Sequence, residues 1–259
     1  SYANIGLTNI IGLLLTPYII SSLGDSEYGL YTLLGSFIGY LGILDLGLNN
    51  AIIRYVSKYR AEGDSKGEEN FLGTTFLIYG VISFVIIGLG AVIYYQLSNI
   101  FNNSLTSNQI IEAKRIFIIL IFNLAITLPG GAFTAICNAH QQFVFPRVLQ
   151  IINYISRTIL VFSFLFYYPY ALTLVWIDTL LNIVIISITI FYVNKKLKSR
   201  IKVHRWSKPL VRDIFAYSIW IFLAAIVMRL QWNTGQIVLG VFENTVTVAI
   251  FGVGIMLGG

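Results

Sequence analysis

The chain has 259 residues, of which 57% are hydrophobic, 15% aromatic and only 11% charged, whereas a soluble domain carries about a quarter charged residues. Too little polar surface exists to cover such a chain in water, so a soluble enzyme or binding domain is excluded and lipid is the solvent for most side chains. The formal net charge of +6 does not point to nucleic acid, because the basic residues gather in one connecting segment, and the lone Cys137 excludes a disulfide framework or a Cys/His metal site.

Apolar runs of roughly 18 or more residues, each able to cross a hydrocarbon core of about 30 Å, recur along the chain. The first covers residues 1–23 and ends at Gly24-Asp25-Ser26-Glu27, a turn-forming cluster. No cleavable leader precedes it, and a chain that starts at Ser1 and stops at Gly259 inside an apolar run reads as cut at both ends. The second span runs from Tyr28 to Val56 and is followed by a hydrophilic loop carrying Lys58, Arg60 and Lys66. The third, Leu72 to Gln96, leads into an Asn/Ser-rich loop from Ser98 to Gln109. The fourth, Ile116 to Cys137, is interrupted by Pro129-Gly130-Gly131, which together with Pro17 in the first span is expected to bend its helix. Spans five (Val148 to Tyr168) and six (Ala171 to Val193) meet at Pro169 and form an antiparallel hairpin.

The strongly basic segment comes next, with eight lysines and arginines between Lys195 and Arg212. Loops after spans two, four and six hold twelve basic residues and the alternate loops only two, Lys114 and Arg115. Cytoplasmic loops retain Lys and Arg, so the N-terminus is expected inside a cell membrane and the basic segment in the cytoplasm. His140 and His204 fall in loops on that side and are expected to be solvated.

The seventh span allows two readings. Arg229, Gln231, Asn233, Thr234 and Gln236 form either an external loop or the polar middle of one long helix ending near Phe242, with Glu243-Asn244-Thr245 as the next turn. A loop would leave only about 15 residues for the span, short of the roughly 20 needed, and we favour the long helix. A faint repeat agrees: a shift of 220 residues lays Leu15 to Gly35 over Gly235 to Ile255. The expected architecture is all-α: a polytopic transmembrane bundle with a six-helix N-terminal lobe (residues 1–193), a basic cytoplasmic linker (194–213) and the first two helices of a second lobe (214–259), as in transporters built from repeats.

The stretch Leu23-Gly24-Asp25-Ser26-Glu27-Tyr28-Gly29-Leu30-Tyr31, with Leu44-Asp45-Leu46-Gly47-Leu48 and Arg54-Tyr55-Val56-Ser57-Lys58-Tyr59, resembles the start of bacterial polysaccharide (O-antigen) flippases of the Wzx type. These belong to the multidrug/oligosaccharidyl-lipid/polysaccharide exporter superfamily. Gly235-Gln236-Ile237-Val238-Leu239-Gly240 is similar to that family's seventh helix, and the resemblance extends over essentially the whole chain. It implies two six-helix lobes around a cavity that carry an undecaprenyl-diphosphate-linked oligosaccharide from the inner to the outer leaflet of the cytoplasmic membrane. Implied partners are that lipid-linked oligosaccharide, membrane lipids, a polysaccharide polymerase and glycosyltransferases, with no cofactor and no nucleic acid. Some members carry an acid near Gly235-Gln236; this chain has none, which puts ion coupling there in doubt.

Ionisable groups at membrane depth cost about 2.5–3.5 kcal/mol on insertion scales and need a partner, water or a purpose. Asp45 with Asn49 shares a face of the second span. Arg157 in span five lies opposite Asn182 in the hairpin, one turn from Asp178, so an Arg157–Asp178 pair is possible. Arg229, Asn233 and Gln236 follow an i, i+4, i+7 stripe, offering a guanidinium for phosphate and amides for hydroxyls. Each set is a candidate for the substrate cavity, and each also has a structural reading in which it locks neighbouring helices. Arg54 is expected to snorkel to headgroups, and Gly35 with Gly39 to permit close helix contact. No Gly-rich phosphate loop, metal-ligand spacing or nucleophile-with-base arrangement is present. A cation-coupled multidrug exporter of the same superfamily is the nearest rival; a membrane-embedded glycosyl- or acyltransferase is the rival from another class, and it lacks a catalytic constellation.

Overall fold

The computed structural model describes residues 2–102 and 104–258, with the side chains of 2–10, 13, 14 and 256–258 left aside. Among the described residues there is no strand. In chain order the helices are α1 (Tyr2–Leu23), α2 (Asp25–Leu41), α3 (Leu48–Glu62), α4 (Ser65–Ile100), α5 (Ser107–Ala139), α6 (Val144–Leu165), α7 (Ala171–Tyr192), α8 (Lys208–Phe242) and α9 (Thr245–Gly258). Six of the described segments are long and apolar enough to cross a membrane: Asp25–Glu62, Ser65–Ile100, Ser107–Ala139, Val144–Leu165, Ala171–Leu197 and Lys208–Phe242. Large apolar side chains face outward along them, among them Val81, Phe84, Val92, Ile159, Phe191 and Val227. In water that surface would drive aggregation; in lipid it is the solvated face. The chain is a multi-pass membrane protein.

Local chemistry sets the helix ends. Asp64 caps α4 by accepting from the Gly67 amide at 2.8 Å, and Thr106 with Gln109 closes a capping box on α5. Asn244 Oδ1 accepts from the Thr247 amide at 3.0 Å and starts α9. The loop between α4 and α5 is therefore shorter than the sequence predicts. Pro129 lies inside α5 and Pro17 inside α1, and each helix is continuous through its proline.

The second span differs from expectation. It is broken at membrane depth: a 3-10 turn covers Gly42–Asp45, and Leu46 (φ 53) and Gly47 (φ 73) adopt left-handed backbone before α3 begins. A branched residue such as Leu46 costs roughly 1–2 kcal/mol there, and irregular backbone at this depth persists only where protein covers it. The cover is α8, since a Cβ on Gly47 would lie 2.9 Å from Ile221.

Apart from the break after α2, the described turns sort to two ends. At one, Ser26, Gln109 and Thr245 are linked by side-chain bonds, and Glu27 accepts from the Ala171 amide at 2.9 Å. At the other lie the α3–α4 and α5–α6 turns and the basic segment, which places all twelve basic loop residues on that linker side.

The linker side also corrects the reading of His140, while His204 is exposed as expected but makes specific contacts. At about 1.5 Å per residue the 36 residues of α4 reach roughly 54 Å, well beyond a hydrocarbon core, and the basic segment docks on the overhang. Asn70 Oδ1 accepts from the backbone amides of His204 and Arg205, both at 2.8 Å. Glu69 meets His204 Nε2 at 2.8 Å, a hydrogen bond that holds its carboxyl below the usual glutamate range. Ser199 Oγ lies 2.9 Å from His140 Nε2 and 3.2 Å from Glu68 Oε1. His140 is thus enclosed rather than solvated, its side chain only 5% exposed. A Cβ on Gly73 would collide with the Lys202 backbone, so glycine is what lets the segment lie this close.

Candidate functional site

Three polar clusters interrupt the apolar packing, and α2 with its broken end touches each. The first is at the break. Asp45 Oδ1 accepts from Asn49 Nδ2 at 2.9 Å and from the hydroxyl of fully buried Tyr79 at 2.8 Å. The Asn50 and Ala51 amides at the start of α3 bond instead to the Gly47 carbonyl, at 3.1 and 3.2 Å. Asn49 in turn lies against Gly131 of α5, 3.2 Å from where a Cβ would stand.

The second joins α6, α7 and α2. Arg157 makes a two-pronged contact with Asp178, Nε to Oδ1 at 2.6 Å and Nη2 to Oδ2 at 3.1 Å, and the Tyr31 hydroxyl donates to Oδ2 at 3.1 Å. The pair is about one-quarter exposed, 25% for Arg157 and 27% for Asp178. Asn182, one turn away, bonds instead to Asn123 and Thr127 of α5.

The third is the seam between α2 and α8. One helix runs through Arg229–Gln236, so the long-helix reading holds and no loop interrupts it. Buried Gln236 bonds to Ser36, and Tyr40 to Thr234. Asn233 lies 2.8 Å from where a Cβ on Gly39 would be, and the Arg229 guanidinium 3.4 Å from that point. Arg229 touches Asn233 Oδ1 at 3.5 Å and forms no ion pair among the described residues. Gly39 therefore does allow close approach, whereas Gly35 faces open space. Arg54 does not simply reach for headgroups: its guanidinium stacks on the Tyr217 ring of α8 at 4.4 Å.

No hydrogen bond connects the three clusters among the described residues; each expected pairing forms, on a different neighbour. Sequence reasoning missed Tyr31, Ser36, Tyr40 and Tyr79. Ser36 and Tyr40 carry a usable signal, a one-turn polar spacing within the second span. Tyr31 and Tyr79 carry none, since a tyrosine in an apolar run reads as core or interface until its hydroxyl's partner is known. No group of three or more His, Cys, Asp or Glu that could hold a metal is present among the described residues.

Comparison with known proteins agrees with this architecture. A family described as polysaccharide biosynthesis proteins matches residues 3–258. The chain is 27% identical over 170 residues to Lipid II flippase MurJ of Bacillus subtilis (strain 168), covering 61% of this chain and 29% of that protein. It is 28% identical over 87 residues to a putative O-antigen transporter of Shigella flexneri, covering 32% and 21% respectively. Among solved structures, an inward-facing multidrug resistance MATE family transporter of the MOP superfamily superposes with a TM-score of 0.73 at 13% identity, over 94% of this chain and 56% of its own. A MOP superfamily transporter from Pyrococcus furiosus gives 0.69 at 11% identity, over 98% and 60%. The chain thus has the fold of these transporters and spans less than a third of the curated relatives' length.

Proposed function

The chain belongs to the polysaccharide biosynthesis protein family, and from that premise we propose that it forms the N-terminal part of a flippase moving an undecaprenyl-diphosphate-linked oligosaccharide from the inner to the outer leaflet. In this reading residues 1–193 are the first lobe, the basic segment is a cytoplasmic linker, and α8 and α9 open the second lobe. The N-terminus is inside, as the one-sided distribution of basic loop residues supports. Transport, not catalysis, is the activity.

The observation that carries the reading is Arg229. A guanidinium in the middle of an apolar span, with a neighbouring amide and no carboxylate, is costly in hydrocarbon and suits a diphosphate that needs a planar donor. It lies over Gly39 of α2 and Gly42 of the turn that follows, where the two proposed lobes meet. Arg157 supplies less free charge because Asp178 neutralises it; we assign this pair to fixing the α6–α7 hairpin beside the pathway. Asp45 and Asn49 hold the helix break open toward it. The multidrug exporter reading wants an unpaired acid for a cationic drug, and the α8 stripe offers an arginine instead.

Leaflet exchange of a lipid-linked glycan by the full-length protein in liposomes tests this. The wild type should exchange the lipid and Arg229→Ala should slow it at least tenfold, with Arg229→Lys between them. Exchange no faster than in protein-free liposomes would refute transport; wild-type rates in Arg229→Ala would remove Arg229 from the mechanism.

A further inference from the structure

A cavity of about 550 Å³ lies between the linker-side ends of α3, α5, α6 and α7, and none of the polar clusters above lines it. Its wall includes Arg147, Gln150 and Asn153 of α6, Thr134 and Asn138 of α5, and no aspartate or glutamate. On α6 these positions continue to Arg157 at spacings of three, three and four, which is one helical face. The opposite face, Val148, Ile152, Ile155 and Ile159, is exposed to lipid. Helix α6 is therefore amphipathic along its length: Arg147 and Gln150 are exposed in the cavity wall, and Asn153 and Arg157 are half-buried further along the same face.

Two features point to a ligand. Asn153 lines the cavity, and its Oδ1 is buried without a hydrogen-bond partner, which costs roughly 1–3 kcal/mol; a turn of the side chain toward the cavity lets a donor there satisfy it. Arg147 stands in the same wall and forms no ion pair among the described residues. A cation that takes an anion, beside an amide oxygen that takes a hydroxyl, is the donor and acceptor set of a phosphorylated sugar.

We propose that this cavity is a loading subsite for the phosphate-and-first-sugar end of the lipid-linked glycan, occupied before the substrate reaches Arg229. Arg147 binds phosphate oxygens, Asn138 and Gln150 flank the first sugar, and Asn153 Oδ1 accepts from one of its hydroxyls. The inference rests on the transport reading above, whose orientation puts this end at the cytosolic leaflet, where such a substrate is made. The polar wall continues inward: Arg157 lies roughly 15 Å along α6 from Arg147, and Asn49 lies one turn beyond Ile53, which lines the cavity.

The test is binding of a short-chain isoprenyl diphosphate–N-acetylglucosamine to the full-length protein in phosphatidylcholine nanodiscs. The same isoprenyl diphosphate without sugar and phosphatidylglycerol serve as competitors. Arg147→Gln should weaken both diphosphates roughly tenfold or more, with Arg147→Lys recovering part of the loss. Asn153→Ala should weaken only the sugar-bearing probe, by several-fold. Unchanged melting temperatures would confirm that the variants are folded. Wild-type binding that neither Arg147→Gln nor Asn153→Ala alters overturns the subsite alone, as does displacement by phosphatidylglycerol as effective as by unlabelled probe. Failure of the wild type to bind or exchange the probe overturns the transport reading and the subsite together.

Discussion

At the scale of single residues, the polar groups divide into those that hold the bundle and those left to act. The Tyr79 hydroxyl reaches Asp45 from a fully buried ring, and its loss leaves one carboxylate oxygen short of a donor. Tyr79→Phe should lower stability by about 1 kcal/mol, since hydrogen bonds inside membrane proteins average below that and reach about 1.7; thermal melting in detergent reads it, and an unchanged melting point would argue that Asn49 alone suffices. Removing Arg157 is worse, because Asp178 would keep its charge without its partner. Arg157→Leu alone should cost roughly 2 kcal/mol, and the double variant Arg157→Leu/Asp178→Leu less than the single one. A double variant as unstable as the sum of the singles would show that the two residues act independently. The sequence made the Arg157–Asp178 pair legible through the tight hairpin. It could not show Tyr31 completing it, because the contact crosses 147 positions in the chain.

At the scale of elements, the broken second span and the docked linker matter most. A continuous apolar pattern from Tyr28 to Val56 reads as one helix, and the break shows only in the structure, where Leu46 and Gly47 turn left-handed beneath α8. The linker is the reverse case: its charge is plain in the sequence, its docking is not. Asn70 secures two successive backbone amides, so Asn70→Ala should free the segment and speed tryptic cleavage at Lys202 and Arg205 several-fold; Gly73→Leu should do the same by pushing the Lys202 backbone away. Cleavage at the wild-type rate in both would mean the segment is not held. Glu69 adds a pH dependence of known sign. Its carboxyl titrates below the ordinary value when docked, so its contribution is complete above about pH 5 and is lost as pH falls through the lowered value. Protection from trypsin-like cleavage should therefore not change through Glu69 between pH 7 and 6.

At the scale of the whole molecule, α2 is shared between the proposed lobes: it packs on α5 and α7 on one side and on α8 and α9 on the other. Rocking of one lobe against the other has to part the α2–α8 seam. Tyr40 and Thr234 touch across it, so cysteines at both positions, with Cys137 replaced, should cross-link under a membrane-permeant oxidant and stop leaflet exchange until reduced. Exchange at full rate while cross-linked would exclude opening at this seam. Composition and loop charge by themselves determined that the chain is a polytopic helical membrane protein and which of its turns share a side, because span length and charge placement answer to the bilayer and not to neighbours; for the stretch around Arg229 they favoured a helix over a loop without deciding it. Tertiary structure alone decided that the stretch around Arg229 is helical, that the second span breaks, that His140 is enclosed by Glu68 and Ser199, and that Arg147, Gln150 and Asn153 of α6 share a cavity wall with α5. Those outcomes depend on which helix stands beside which, and in lipid, where every helix is apolar around most of its circumference, the pattern along one helix does not say which neighbour it will meet.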